Sequence, residues 1–187
     1  EPLTDFTRLI MTYNHESGRI RFYAGTQEVT QNFTHEDDID EYDGSAPLVF
    51  GQGYQGNMLE ARLWLKVLST DEIVATHEKR LTGYERKLAA YYPMNEGRGD
   101  LCYDKASGST LTLQGASWTT PSGYSLQMNG QQSVTLAQDV LSRSNIQDYT
   151  LMFWFRTTVL NQGLFSAGWS DGTVSATGPQ GTLVEMV

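Results

Sequence analysis

The chain has 187 residues, a formal net charge of −9 and a single cysteine. The acidic balance argues against nucleic acid or an anionic membrane as a partner, because binding phosphates requires clustered Lys and Arg, and the basic residues look dispersed. The lone Cys102 excludes an internal disulfide, and no apolar run reaches the ~18 residues that predict a membrane-spanning segment.

Short alternating runs near the start of the chain predict strands separated by turns. Residues 7–13 and 19–23 predict a hairpin with one solvated face. Residues 27–30 and 46–50 predict two more short strands, and the acidic residues 35–44 between them indicate a solvated loop, because their carboxylates repel one another.

Residues 58–67 predict a longer strand with two unlike faces. The expected core face carries Leu59, Ala61, Leu63 and Leu65, and the opposite face carries Met58, Glu60, Arg62 and Trp64.

A capping box follows that strand, with Ser69 at the N-cap and Glu72 three residues later. Gly83 is the expected stop signal. The sequence therefore predicts one helix over residues 70–82.

Beyond this helix, turn residues again separate short apolar runs. The predicted strands are residues 89–93, 110–114, 125–128, 133–136, 149–157 and 164–167. Many short strands with glycine-rich turns predict an all-β sandwich and disfavour alternating β-α units.

Several segments resemble laminin-G-like modules of the concanavalin A-like lectin-glucanase superfamily. The closing strand and capping helix of such a module are similar to GNMLEARLW at residues 56–64 and LSTDEI at residues 68–73. The opening of such a module is similar to LAAYYPMNEGRG at residues 88–99 and YDKASG at residues 103–108. Weaker similarity covers RFYAGTQ at 21–27, LVFG at 48–51, LQMNG at 126–130 and YTLMFWF at 149–155.

The resemblance implies a two-sheet antiparallel jelly-roll sandwich, but with the motifs in inverted order. Residues 1–82 resemble the closing half of one module, and residues 83–187 resemble the opening half of a following module. The fragment either straddles two tandem modules or complements itself, within one chain as a permuted jelly roll or between two chains as a swapped homodimer. We expect one shared sandwich within the chain, because isolated halves would expose unpaired strand edges. This predicts contact between strands 149–157 and 58–67.

Three aromatic residues in expected loops or strand ends, Tyr54, Trp118 and Trp169, are candidates for binding a glycan. Sugar rings stack on exposed aromatic rings because their C–H faces are apolar. The alternative for each is a partly buried packing role.

Acidic residues offer two further candidates. The resemblance implies a structural calcium ion near Asp104, against the alternative that this carboxylate only caps its own turn. Residues 36–41 match the spacing of glycosidase carboxylates, but the charged, turn-like surroundings favour a solvated loop. Asp38, Asp40 and Asp43 of the same acidic loop could hold calcium, although the glycine and glutamate spacing of an EF-hand loop is missing.

Taken with the resemblance, these patterns favour a non-catalytic recognition or adhesion module of a larger protein. It would be extracellular or at the cell surface and bind a glycan or an extracellular protein. Two alternatives stay open, a structural spacer in a tandem array and a glycoside hydrolase of the same fold, because jelly rolls host all three.

Overall fold

The computed structural model describes residues 3–29, 48–119, 125–136, 148–159, 162–168 and 181–186, which form fourteen strands and one helix. The helix, α1 (Thr70–Thr76), follows the fifth strand in the sequence. The strands are β1 (Leu3–Asn14), β2 (Arg19–Ala24), β3 (Gln27–Glu28), β4 (Leu48–Phe50), β5 (Gln55–Trp64), β6 (Leu88–Tyr92), β7 (Leu101–Tyr103), β8 (Thr110–Gln114), β9 (Ser117–Thr119), β10 (Ser125–Asn129), β11 (Ser133–Leu136), β12 (Tyr149–Thr157), β13 (Gln162–Gly168) and β14 (Gly181–Met186).

The strands form two antiparallel sheets. In the first sheet the order is β3-β2-β1-β12-β5-β10-β9, and β6 also pairs with β5. In the second the order is β14-β13-β4-β11-β8-β7. The predicted all-β class with antiparallel strands and one short helix is confirmed. Strands β7, β9 and β14 have no counterpart among the predicted strands, and residues 35–44 lie outside the described part of the chain.

Strand β12 lies between β1 and β5 in the first sheet. Its register places Phe153 opposite Leu9 on one side and opposite Ala61 on the other. The predicted contact between strands 149–157 and 58–67 is therefore present. Residues on either side of position 82 share one sheet.

The two sheets enclose an apolar cluster, the inner core, as in a β-sandwich. The first sheet contributes Met11, Leu63 and Phe153, among others, and the second contributes Phe50, Leu111 and Val134. The rings of Phe50 and Phe153 meet edge to face with centroids 5.0 Å apart. Such pairs add about 0.5–1.5 kcal/mol beyond the area they bury.

A second cluster, the outer layer, covers the opposite face of the first sheet. It joins Ile73 of α1 and Leu81 to Ile10, Trp64 and Met152 of the sheet. The prediction of a solvated face on the first hairpin is therefore wrong for β1. Ile10 is buried because Ile73 of α1 and Leu81 pack with it, and Thr12 on the same face is buried as well.

The two faces of β5 differ from the prediction at one end. Ala61 and Leu63 belong to the inner core as expected, but Met58 lies there too. The register with β12 shifts between Trp154 and Phe155, which pair with Glu60 and Met58. This irregularity leaves Leu59 without a partner in the β12 ladder and returns Met58 to the inner face.

The helix begins where the sequence predicts but ends early. Ser69 Oγ accepts from the Glu72 amide, and the Glu72 carboxylate accepts from the Ser69 amide, so the capping box is confirmed. The prediction that the helix runs to residue 82 is wrong, because α1 ends at Thr76. Side chains of the sheet bind the carbonyls at that end, as described below.

Candidate functional site

Three charged side chains, Arg8, Glu60 and Arg62, form a buried cluster in the outer layer. Glu60 Oε1 lies 2.7 Å from Arg8 Nη2 and 2.6 Å from Arg62 Nε. The Arg8 guanidinium lies 4.7 Å from the Trp154 ring centroid, and that of Arg62 lies 5.5 Å from the Tyr91 ring centroid. Two cations thus share one carboxylate and two aromatic faces, which offset part of the cost of burying them.

The arginine cluster also holds the end of α1. Arg62 donates to the carbonyls of Thr76 and Lys79, each at 2.7 Å, and Arg8 donates to the Thr76 carbonyl at 3.3 Å. Carbonyls at a helix end have no partner within the helix, so these donors replace the missing turn. This explains why the helix stops at Thr76.

Burial, followed by repulsion from Arg62, lowers the pKa of Arg8 to about 10. Arg8 therefore stays protonated at neutral pH. Its terminal nitrogens are engaged by Glu60 and Thr76, which makes the cluster an anchor for structure.

A pocket of about 450 Å³ lies between α1, the end of β5 and the residues before β6. We call it the basic pocket. Its lining residues are Trp64, Lys66, Leu68, Glu72, Ala75, Thr76, Arg86 and Lys87. Lys66 is paired with Glu72, whereas Arg86 and Lys87 form no ion pair with the described residues.

Hydrogen bonds from the neighbouring strands fix the walls of the basic pocket. Thr150 Oγ1 donates to the Lys66 carbonyl at 2.8 Å and accepts from the Leu68 amide at 3.0 Å. The Leu65 amide donates to the Lys87 carbonyl at 2.8 Å, where Lys87 adopts a positive φ of 68°. The Thr76 wall is held by the arginine cluster. The fold itself therefore fixes the walls of the basic pocket.

Residues 82–87, which we call the Tyr84 loop, connect to the same pocket. The Glu85 carboxylate accepts from the amides of Thr82 and Gly83 at 2.8 and 2.9 Å. Gly83 has a φ of 95°, and a Cβ there would collide with the Lys105 carbonyl. The closed loop leaves the Tyr84 side chain 92% exposed. The exposed ring is thus carried by a loop that its own hydrogen bonds hold in place.

The structure places Tyr54 in the inner core, so its ring is not available as a stacking surface. Tyr54 is 0% exposed, and its hydroxyl donates to the carbonyls of Arg156 and Asn57 at 2.9 and 3.1 Å. Gly56 makes room for that ring, since a Cβ at Gly56 would strike the Tyr54 hydroxyl.

The other predicted aromatics have different outcomes. Trp118, on β9, is half-buried against the inner core, and its Nε1 donates to the Gly99 carbonyl at 2.8 Å. These contacts match the packing alternative. Trp169 lies outside the described residues. The structure does not bring Tyr54 and Trp118 together in one binding surface.

Asp104 is buried and anchors its own turn. Oδ1 accepts from the amides of Tyr91 and Ala106 at 2.8 and 2.7 Å, and Oδ2 accepts from the hydroxyls of Ser107 and Ser109. Four donors occupy the lone pairs of this carboxylate, and a hard cation would need those oxygens. As arranged, these residues do not fit a calcium ion. In the described ranges, no three His, Cys, Asp or Glu side chains converge as metal ligands.

Sequence reasoning missed Tyr84 and the basic pocket. Four of the chain's 13 Lys and Arg residues lie in residues 79–87, so the basic residues are less dispersed than they look. The acidic residues 36–41, the other chemical candidate, lie outside the described residues. Among the described residues, no helix is long and apolar enough to cross a membrane.

Comparison with known proteins gives no relatives. Neither a family model, nor a curated protein, nor a solved structure matches this chain.

Proposed function

We propose that this protein is a non-catalytic recognition module that binds a glycan through the Tyr84 loop and the basic pocket. The observation that carries the proposal is the Tyr84 ring, 92% exposed on a loop closed by its own hydrogen bonds. Its neighbours Arg86 and Lys87 line a formed pocket.

A fixed aromatic ring suits a sugar. The apolar face of a pyranose packs on an aromatic ring, while its hydroxyls need hydrogen-bonding groups at the rim. Lys66, Arg86 and Lys87 supply such donors. Because Glu85 and Gly83 already order the loop, binding avoids part of the entropy cost of immobilising it.

The chemistry of the pocket supports binding without catalysis. Glycoside hydrolysis needs two carboxyl groups about 5–9.5 Å apart across the scissile bond. Of the described residues that line the basic pocket, Glu72 alone is a carboxylate, and it is engaged by Lys66 and by the capping box of α1. The pairing with Lys66 is the main cause that lowers the pKa of Glu72, so it does not serve as an acid at neutral pH.

The proposal includes a laminin-G-like jelly roll closed within one chain, at the cell surface or outside the cell. Two features support this topology. The sheets are antiparallel, and β12 inserts between strands from the first part of the chain.

Glycan-array binding of the wild type and of Tyr84→Ala tests the proposal. We expect specific binding that falls about two- to tenfold in the variant, since one aromatic stacking contact contributes roughly 0.5–1.5 kcal/mol. Tyr103→Ala is the matched control, because Tyr103 is 50% exposed on β7, outside the pocket lining. Absence of any glycan bound, or equal losses in the two variants, would contradict the proposal and favour a spacer.

A further inference from the structure

The basic pocket carries an excess of positive charge on an acidic protein. Its lining holds three cations and one carboxylate, and the chain as a whole has a net charge of −9. Lys66 shares its charge with Glu72, whereas Arg86 and Lys87 make no ion pair within the described residues. Among the described residues, two positive charges at one place are therefore left without a paired carboxylate.

Glu85, the acid next to Arg86 in sequence, does not pair with these cations, because its carboxylate accepts from the amides of Thr82 and Gly83. Glu60, on the adjoining strand β5, pairs with Arg8 and Arg62. In addition, Trp64, which lines the pocket, has a buried indole N–H without an acceptor in the described chain. The pocket thus offers donors and positive charge in excess of acceptors.

We infer that the basic pocket takes the acidic group of a saccharide, a carboxylate or a sulfate, while the sugar ring packs on Tyr84. This inference rests on the proposed function and names the ligand class. Charge-assisted hydrogen bonds from Lys or Arg to such an oxygen are about twice as strong as neutral ones. A neutral sugar could not form such charge-assisted hydrogen bonds with Arg86 and Lys87.

The overall charge restricts the ligand further. A polyanion would meet the net charge of −9 of the chain, and like charges repel within a Debye length of about 8 Å at physiological salt. One acid group seated in the pocket contacts the local cations directly. The favoured ligand is therefore a short saccharide with a single acid group.

The experiment is a set of NMR titrations with three small probes. Methyl glucuronide and glucose 6-sulfate carry one acid group each, and methyl glucoside is the neutral control. We expect at least one acidic probe to shift the amide signals of the Tyr84 loop and to bind at least about tenfold more tightly than methyl glucoside. Whether the glucuronide, the sulfate or both bind distinguishes the two sources of charge.

The double variant Arg86→Gln, Lys87→Gln should reduce binding of the acidic probe about tenfold or more, and binding of methyl glucoside by about threefold or less, because glutamine keeps a neutral donor at each position. The matched control is Arg98→Gln, Lys105→Gln, which removes two exposed charges outside the pocket lining. Retention of fold is checked by the dispersion of amide signals away from the loop.

Each outcome decides the question. Equal affinity for neutral and acidic probes would overturn the inference while leaving a glycan-binding module in place. If no probe shifts the loop and no array glycan binds, the inference and the proposed function fail together. If an acidic probe binds but both double variants lose it equally, the charge of the whole surface is responsible and the pocket assignment is wrong.

Discussion

The inner core and the outer layer stabilise the first sheet from opposite faces by different means. Between the sheets the contacts are apolar, as in the edge-to-face pair of Phe50 and Phe153. Beneath α1, apolar residues surround a buried cluster of two arginines and a glutamate. Apolar burial is strong but has no direction, whereas ionic hydrogen bonds are directional and fix geometry.

That difference assigns the two layers separate tasks. The inner core supplies most of the free energy that holds the sheets together. The outer layer determines where α1 ends, because Arg62 binds the carbonyls of Thr76 and Lys79. Since Thr76 also lines the basic pocket, the position of the candidate site depends on the outer layer.

The largest effect should come from Phe153→Ala in the inner core. Loss of the ring and its contact with Phe50 should lower the free energy of unfolding by about 4 kcal/mol, because a buried cavity remains. Urea denaturation followed by circular dichroism measures this. Val74→Ala on α1, where Val74 is 57% exposed, is the control and should change the free energy by less than about 0.5 kcal/mol. A small loss at Phe153 would mean that the sheets do not depend on this contact.

Glu60→Gln tests the outer layer. Two buried guanidinium groups would lose the carboxylate they share, so we expect a loss of about 3 kcal/mol. The control is Glu28→Gln, whose partner Arg21 lies 3.7 Å away with both side chains about one-third exposed, and it should cost about 0–1 kcal/mol. The same denaturation series compares the two. Equal losses would show that the cluster contributes no more than a surface ion pair.

Gly83→Ala should disturb the Tyr84 loop selectively. Gly83 has a φ of 95°, and a Cβ there would also collide with the Lys105 carbonyl. We therefore expect the free energy of unfolding to fall by about 2 kcal/mol and the amide signals of residues 82–87 to change. Gly53→Ala is the control, because it introduces backbone strain at a positive φ without a collision of the new Cβ. Gly53 has a φ of 76° with open space around its Cβ, and its substitution should cost about 1 kcal/mol. If the two variants behave alike, contact with Lys105 does not hold the loop.

The smallest effect is a pH dependence at the edge of the outer layer. Burial, and then repulsion from Arg8, holds the pKa of His77 below its ordinary value of 6.5. As pH falls below 6.5, the unfolded state therefore takes up the proton first, and stability decreases until the folded-state pKa is passed. His77→Gln should reduce this decrease. Urea denaturation midpoints of the wild type and the variant at pH 5 and pH 8 measure the loss of stability. The difference between the two proteins at pH 8 corrects for the change in packing. If the midpoint falls equally in both proteins between pH 8 and pH 5, His77 is not the source of the pH dependence.

The fold class follows from patterns that depend on neighbours in the sequence. The capping box at Ser69 and Glu72 marks the start of α1, and period-two alternation finds most strands. The end of α1 is set by Arg62, a residue of β5, which no local rule for helix termination contains. Alternation also suggests that the face of β1 with Ile10 is solvated, because it cannot tell open solvent from a covering helix.

The candidate site was harder to predict because it also depends on contacts between residues that are distant in the sequence. Tyr54 lies among glycines and looks like a loop residue, yet the missing side chain at Gly56 lets its ring enter the core. Tyr84 lies where the two expected halves, residues 1–82 and 83–187, meet, yet hydrogen bonds to Glu85 close this segment into a loop. Asp104 accepts from backbone amides of its own turn and of β6, which matches the capping role that the sequence offers as the alternative to calcium binding.

The place of β12 between β1 and β5 has a consequence for biosynthesis. A ribosome makes both flanking strands long before β12, and each must keep one row of amides and carbonyls without its final partner until then. Pairings so distant in the chain slow folding, and bare strand edges invite other chains to pair with them. Nascent chains halted before residue 149 should therefore require chaperones to stay free of aggregates.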